Sequence, residues 1–112
     1  MDNVMTDQIP LVRNRRPREP GYLLATYYLE PRGISVTRFA QAAGLTRKHV
    51  SNIIHGHASV TPETAVRFAL VLGTEPHYWL NLQNAVDLFD ARQRVQSNPT
   101  LEVGAFALPA AE

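Results

Sequence analysis

The sequence predicts an all-α domain of five helices. Residues that start and stop helices, namely Ser, Thr, Pro and Gly, recur at helix-length intervals between residues 20 and 96. The apolar residues between them follow the spacing of helices, and almost no segment alternates as a strand would. With 112 residues, 45% of them hydrophobic and 19% charged, the chain suits one globular domain. We predict a domain over residues 20–96, a flexible basic tail over 1–19 and a second flexible tail over 97–112.

The first two predicted helices have clear boundaries. The first is Gly21–Glu30, and we expect Pro31 to end it because the residue before a proline is disfavoured in the α region. The second, Val36–Ala43, follows Ser35, which is a good N-cap residue. It ends at Gly44, which can adopt the left-handed conformation of a helix end.

The third and fourth helices also begin after capping residues. The third, Arg47–His55, follows Thr46 as its N-cap. The fourth, Pro62–Leu72, follows Thr61 and opens with proline, which is favoured at the first helical position. Only Arg67 interrupts the apolar run from Ala65 to Leu72, so we expect a central helix that is buried on most sides.

The fifth helix, about Glu75–Gln96, follows Thr74 as a predicted cap and carries two apolar stripes. A monomer of five helices can bury only one of them. The second stripe is therefore a candidate homodimer interface, although a folded-back C-terminal tail would also cover it. Its members are Leu80, Leu88, Ala91 and Val95.

Charge is distributed unevenly along the chain, although the net charge is only +1. Residues 32–67 hold five Arg and Lys against one acidic side chain, and residues 68–112 hold two against five. A positive segment beside an acidic one suits a polyanion on one side and a different partner on the other. A solvated polar face is the alternative interpretation.

Several classes of function are excluded by what the sequence lacks. It has no cysteine, its His55-Gly-His57 pair has no acidic neighbour, and we predict neither a metal nor a cofactor. It has no nucleophile elbow, no His-Glu-x-x-His and no phosphate loop, so we do not expect an enzyme. The longest early apolar stretch, Gly21–Leu29, is too short to span a bilayer, and no signal pattern opens the chain. We expect a cytoplasmic protein with no membrane partner.

The turn Ala43–Thr46, between the second and third helices, has the length and the glycine of a helix-turn-helix. In that motif the N-terminal part of the later of the two helices, here the third predicted helix, enters the major groove of DNA. Arg and Lys match the guanine acceptors O6 and N7, and Asn matches adenine. The candidate base-reading residues are Arg47, Lys48, His49, Ser51 and Asn52. The candidate phosphate contacts, which position the protein, are Thr37, Arg38, Thr46, His55 and His57.

Several segments together resemble the HigA-type antitoxins, a branch of the phage-repressor-like (lambda-repressor-like) helix-turn-helix proteins. The opening of that family is similar to Glu19–Leu24 and Leu29–Ser35 of this chain. Its most characteristic stretch is similar to Val60–Ala65, Leu72–Pro76 and Trp79–Gln83. The resemblance covers about residues 19–90.

The resemblance implies an antitoxin of a type II toxin–antitoxin pair. Such a protein binds and neutralises a RelE-like (HigB-type) toxin that cleaves mRNA, and it represses its own operon at an operator palindrome. The resemblance also implies a homodimer with one recognition helix per half-site, in which Arg47, Lys48 and Asn52 occupy base-reading positions. Residues 68–112 carry a net negative charge and include Asp87 and Asp90. We expect this segment to form the surface that binds a basic toxin.

The chain departs from the family pattern at four positions. Arg38 stands where Glu is common, Val36 where Gln is common, and His55 where Asn is usual. Ala58 stands where a basic residue is common. The operator of a relative is therefore not transferable to this chain. Two alternatives stay open: a solitary transcription regulator without a toxin, and a protein-interaction module that has lost DNA binding.

Overall fold

The computed structural model describes residues 15–98, and within them it forms five helices and no strand. Helix α1 begins as a regular α-helix at Pro20–Leu23, widens into a π-helical segment at Leu24–Leu29 and ends in a 3-10 turn at Glu30–Arg32. The others are α2 (Val36–Ala43), α3 (Arg47–Ile54), α4 (Pro62–Leu72) and α5 (Pro76–Gln96). Of the predicted tails, residues 1–14 and 99–112 lie outside the described residues.

Three of the helices start where the sequence predicts. The hydroxyl oxygens of Ser35, Thr46 and Thr61 each accept the backbone N–H three residues later, at 3.1, 3.0 and 3.3 Å. These bonds satisfy amides that have no partner within the helix. The predicted N-caps of α2, α3 and α4 are therefore confirmed.

The predicted end of α1 is wrong by two residues, because the helix continues through Pro31 to Arg32. Before the proline the helix has widened, and the N–H of Glu30 donates to the carbonyl oxygen of Ala25, five residues earlier. Pro31 has no N–H to give to the carbonyl of Tyr27. The Arg32 side chain donates to that carbonyl instead, at 3.3 Å, so the missing backbone bond is replaced.

The core is centred on a row of aromatic rings. Trp79 and Phe68 are fully buried, with ring centroids 5.3 Å apart in an edge-to-face arrangement. Phe39 of α2 lies 5.2 Å from Phe68, and Tyr28 of α1 lies 5.3 Å from Trp79. The row therefore joins α1, α2, α4 and α5.

The sequence predicts Thr74 as the N-cap of α5, and this prediction is wrong. The N-cap position belongs to Glu75, whose side chain makes no capping bond. The Thr74 hydroxyl oxygen instead accepts the indole Nε1–H of Trp79 at 2.8 Å. The hydroxyl satisfies a polar group that would otherwise be buried without a partner.

The expectation that α4 is buried on most sides is also wrong. Ala65 and Phe68 are fully buried, but Val66 is 45%, Leu70 80% and Val71 37% exposed. Helix α4 packs on α5 along one face and on α2 along another, and its remaining side is exposed. No described helix is long and apolar enough to cross a membrane.

Close packing of α1 on α3 depends on Gly21. A β-carbon at this position would lie 1.9 Å from the carbonyl oxygen of Ile53 and 2.5 Å from the Cα of Ile54. Only glycine lets the start of α1 reach the C-terminal end of α3.

Candidate nucleic-acid interface

Helices α2 and α3 are joined by a tight turn, which is stabilised by the backbone conformation of Gly44 and by backbone hydrogen bonds. Gly44 has a φ of +72°, a left-handed backbone conformation that residues other than glycine rarely adopt. The N–H groups of Gly44 and Leu45 both donate to the carbonyl of Ala40. Below the turn, Val50 and Ile53 of α3 are buried. The predicted helix-turn-helix is therefore formed, with its apolar side inward.

The outward side of α3 is polar, and several of its side chains have no partner. Arg47 and Lys48 are exposed on the first turn, and Asn52 is half-buried one turn later. Within residues 15–98 the side chains of these three residues make no hydrogen bond and no ion pair. The other two base-reading candidates, His49 and Ser51, are half-buried on the same helix. The fold thus leaves strong donors and acceptors available at the N-terminal half of α3.

The loop after α3 is held by hydrogen bonds that orient His55. Its Nδ1 lies 2.8 Å from the carbonyl oxygen of Ser51, and because a carbonyl only accepts, Nδ1 carries the proton. Nε2 is therefore the ring nitrogen of His55 that remains for a partner outside the fold. The ring of His57 lies 6.5 Å from that of His55. Among the described residues no three His, Asp or Glu side chains are placed to hold a metal ion.

The remaining phosphate candidates lie at the starts of α2 and α3. Thr37 and Arg38 are exposed on the first turn of α2. Thr46 uses one oxygen lone pair for the N–H of His49, but its hydroxyl proton remains available to a phosphate oxygen.

Two of the five basic residues in residues 32–67 form hydrogen bonds within the chain, so they are not free to bind a polyanion. Arg32 donates to the carbonyls of Tyr27 and Tyr28 at 3.3 and 3.0 Å. Arg67 binds Glu63 at 2.9 Å and the carbonyl of Ala43 at 3.0 Å. The cations left for a polyanion are Arg38, Arg47 and Lys48. Sequence reasoning missed both roles, and the only signal for Arg67 was its spacing of four residues from Glu63.

Of the stripe predicted as a homodimer interface, only Leu88 and Val95 are exposed. Leu80 is half-buried and packs against the core, and Ala91 is half-buried. Leu88 and Val95 are 44% and 51% exposed. These two side chains are the part of the stripe that a second copy can reach.

Both acidic residues expected to meet a basic partner already have partners within the chain. Asp90 accepts two hydrogen bonds of 2.9 Å from Arg16. Asp87 accepts from the side-chain amide of Gln83 at 3.1 Å, and Gln83 is itself buried and accepts the N–H of Val60 at 2.8 Å. Helix α5 is therefore less available to a cationic partner than its charges alone indicate.

Comparison with known proteins gives concordant results. Residues 27–79 match the helix-turn-helix family HTH_3. The chain is 45% identical over 82 residues to antitoxin HigA-1 of Vibrio cholerae serotype O1, which covers 73% of this chain and 77% of that protein. It is 36% identical over 87 residues to the uncharacterised HTH-type transcriptional regulator YbaQ of Escherichia coli K12, covering 78% and 77%. The solved structure of antitoxin GraA in complex with its operator matches with a TM-score of 0.68 at 31% identity, covering 84% of this chain and all of that one.

The five helices, the turn geometry and the polar face of α3 define a helix-turn-helix protein of the phage-repressor-like class. Its relatives are antitoxins and transcriptional regulators, and the chain is not an enzyme. Within the class, the chain belongs to the HigA-type antitoxin family.

Proposed function

We propose that this chain is the antitoxin of a type II toxin–antitoxin pair. It neutralises a RelE-like, mRNA-cleaving toxin of the HigB type by direct binding, and it represses its own operon by binding operator DNA. It acts in the cytoplasm, where both targets are found. The observation that carries the proposal is the polar face of α3, on which Arg47, Lys48 and Asn52 project without partners inside the described fold.

In this proposal α3 lies in the major groove, led by its N-terminal turn. Arg47 and Lys48 donate to guanine O6 and N7, and Asn52 pairs with adenine. His49 and Ser51 lie on the same helix and complete the base-reading set. The phosphate contacts come from the starts of α2 and α3 and from the loop after α3, at Thr37, Arg38, Thr46, His55 and His57. The solved complex of GraA with its operator supports operator binding by a relative of this fold.

A homodimer is part of the proposal, because a palindromic operator requires two recognition helices related by two-fold symmetry. The interface we propose is the second stripe of α5, formed by Leu80, Leu88, Ala91 and Val95. Leu88 and Val95 are the exposed members and supply the apolar contact.

The test is a mobility-shift assay on the DNA immediately upstream of the gene, with and without the product of the adjacent gene. It is run at about 50 mM and about 200 mM salt, because neutralised phosphates make binding weaken with salt. An autoregulating antitoxin gives a shift that weakens with salt and changes when the neighbour is added. No shift under any condition would overturn the DNA-binding part of the proposal.

A second candidate function is a solitary transcription regulator of the same fold. The observation that favours it is the similarity to YbaQ, which is named only as a transcriptional regulator. A salt-sensitive shift that no neighbouring gene product alters, together with failure of that product to bind the chain, selects this candidate.

A further inference from the structure

Arg67 of α4 is bonded to the turn of the helix-turn-helix, although it lies outside the proposed interface. Its Nη1 donates to the carbonyl oxygen of Ala43, the last residue of α2, at 3.0 Å. Its Nε donates to Oε2 of Glu63, one helical turn earlier in α4, at 2.9 Å. The guanidinium is therefore held at two points, and one of them is the backbone that leads into α3.

The Ala43 carbonyl depends on this contact. The last carbonyls of an α-helix have no amide partner within the helix. The N–H groups of Gly44 and Leu45 both turn back to the carbonyl of Ala40. Among the described residues no backbone N–H donates to the oxygen of Ala43, and Arg67 fills the gap with a charged donor. A cation at a helix C-terminus is also favoured by the helix dipole.

Gly44 makes room for the guanidinium. A β-carbon at this position would lie 2.6 Å from Nη1 of Arg67. The glycine thus serves the turn twice, through its left-handed backbone and through the space it leaves for Arg67. A second contact between α2 and α4 is apolar: Phe39 of α2 packs on Phe68 of α4, with ring centroids 5.2 Å apart. The hydrogen bond from Arg67 to Ala43 and the contact between Phe39 and Phe68 together fix α2 to α4.

We infer that Arg67 is a positioning residue for DNA recognition, which fixes the turn before α3 without touching DNA itself. The inference rests on the proposed DNA-binding function. Arg47 and Lys48 follow Ala43 by four and five residues, so a shift of the turn displaces the first turn of α3. Lysine is a poor substitute, because one ammonium group cannot reproduce two fixed bonds from a planar fork.

The inference is tested by comparing Arg67→Met and Arg67→Lys with the parent protein. Arg92→Met is the matched control, since it removes one exposed cation from α5. Affinities are measured for the upstream DNA and for a scrambled duplex of equal length, at two salt concentrations. For Arg67→Met we expect the preference for the upstream DNA to fall about fivefold to tenfold. The salt slope should stay unchanged, Arg67→Lys should be intermediate, and Arg92→Met should keep the parent's preference.

Two results overturn the inference. Equal weakening on both duplexes with a salt slope smaller by about one identifies Arg67 as a direct phosphate contact. An unchanged preference in Arg67→Met shows that the turn needs no such anchor. Circular dichroism at the assay temperature identifies a variant that is unfolded, and in that case Arg67→Lys decides.

A second measurement separates this inference from the proposed function. Amide hydrogen exchange is followed at Leu45, in the turn, and at His49, in the first turn of α3. Faster exchange at both amides in Arg67→Met, with no change in Arg92→Met, supports the anchoring role even if the parent fails to bind the upstream DNA. Unchanged exchange at both amides overturns it.

Discussion

Arg16 places its guanidinium as a fork on the carboxylate of Asp90, and so joins two residues that lie 74 positions apart in the chain. Nε and Nη2 each donate at 2.9 Å, and Nη1 donates to Glu19 at 3.0 Å. A β-carbon at Gly56, in the loop after α3, would lie 2.9 Å from the same Glu19 oxygen. Residues 16–19 therefore connect α5 to the loop after α3. Hydrogen bonds from Arg16 lower the pKa of Asp90 below its usual value of 3.8.

Acid is expected to release residues 15–19 from α5. Because the pKa of Asp90 is lower in the folded state, the fork contributes stability above the unfolded pKa, and this is lost as pH falls through the folded pKa. The contribution is small and weakened by salt, since both side chains are more than a third exposed. NMR of the Arg16 Nε–H group across an acid titration measures the release.

Two variants define what that titration reports. Asp90→Asn should give the released Arg16 signal already at neutral pH. Asp87→Asn also removes one negative charge from α5, but its partner is Gln83, so the Arg16 signal should stay as in the parent. An Arg16 signal that Asp90→Asn leaves unchanged would contradict the fork.

Gln83→Leu is expected to lower the free energy of unfolding by about 1–3 kcal/mol, because it leaves a buried N–H without a partner. Gln83 is 7% exposed, and its Oε1 accepts the N–H of Val60, which is 4% exposed. Urea unfolding measures the change. Asn84→Leu, at the exposed neighbouring position, is the control and should stay within about 0.5 kcal/mol. A midpoint for Gln83→Leu equal to that of the control would refute the structural role.

Helix boundaries were predictable wherever the capping residue and the amide that it bonds lie within a few residues of each other in the sequence. Ser35, Thr46 and Thr61 each bond to an amide three residues later, so residue type and position suffice to predict the cap. Thr74 has the same residue type before a helix, but its hydroxyl is taken by Trp79 from inside the core. Which of two donors a threonine serves is decided by packing, and packing is not visible in local sequence.

The candidate interface was predictable in part for the same reason. Exposure of Arg47 and Lys48 follows from the helical period and the N-cap alone. The charge of the positive segment was overestimated, because Arg32 and Arg67 bind backbone carbonyls that only the folded chain brings to them. In the case of Arg32 the reason lies in the π-helical segment Leu24–Leu29 and the 3-10 turn that follows it, neither of which the sequence pattern predicted.

Leu88→Asp is expected to weaken homodimerisation, because it places a charge on the exposed part of the α5 stripe. Sedimentation at micromolar concentration measures the change. Leu70→Asp is the control, since Leu70 is 80% exposed on α4 and lies outside the proposed interface. Dissociation by Leu70→Asp with no effect of Leu88→Asp would move the interface from α5 to α4.

Arg47→Ala and Asn52→Ala are each expected to cost about 1–3 kcal/mol of binding to the upstream DNA and to relax base preference. The reason is that each removes a paired contact to a base edge, and neither side chain has a partner within the described fold whose loss would disturb α3. Arg38→Ala is the comparison, because a phosphate contact at the start of α2 supports all sequences alike. It should weaken binding to upstream and scrambled DNA equally and reduce the salt slope by about one. If Arg47→Ala and Asn52→Ala weakened binding to upstream and scrambled DNA equally, α3 would lie along the DNA backbone and not in the groove.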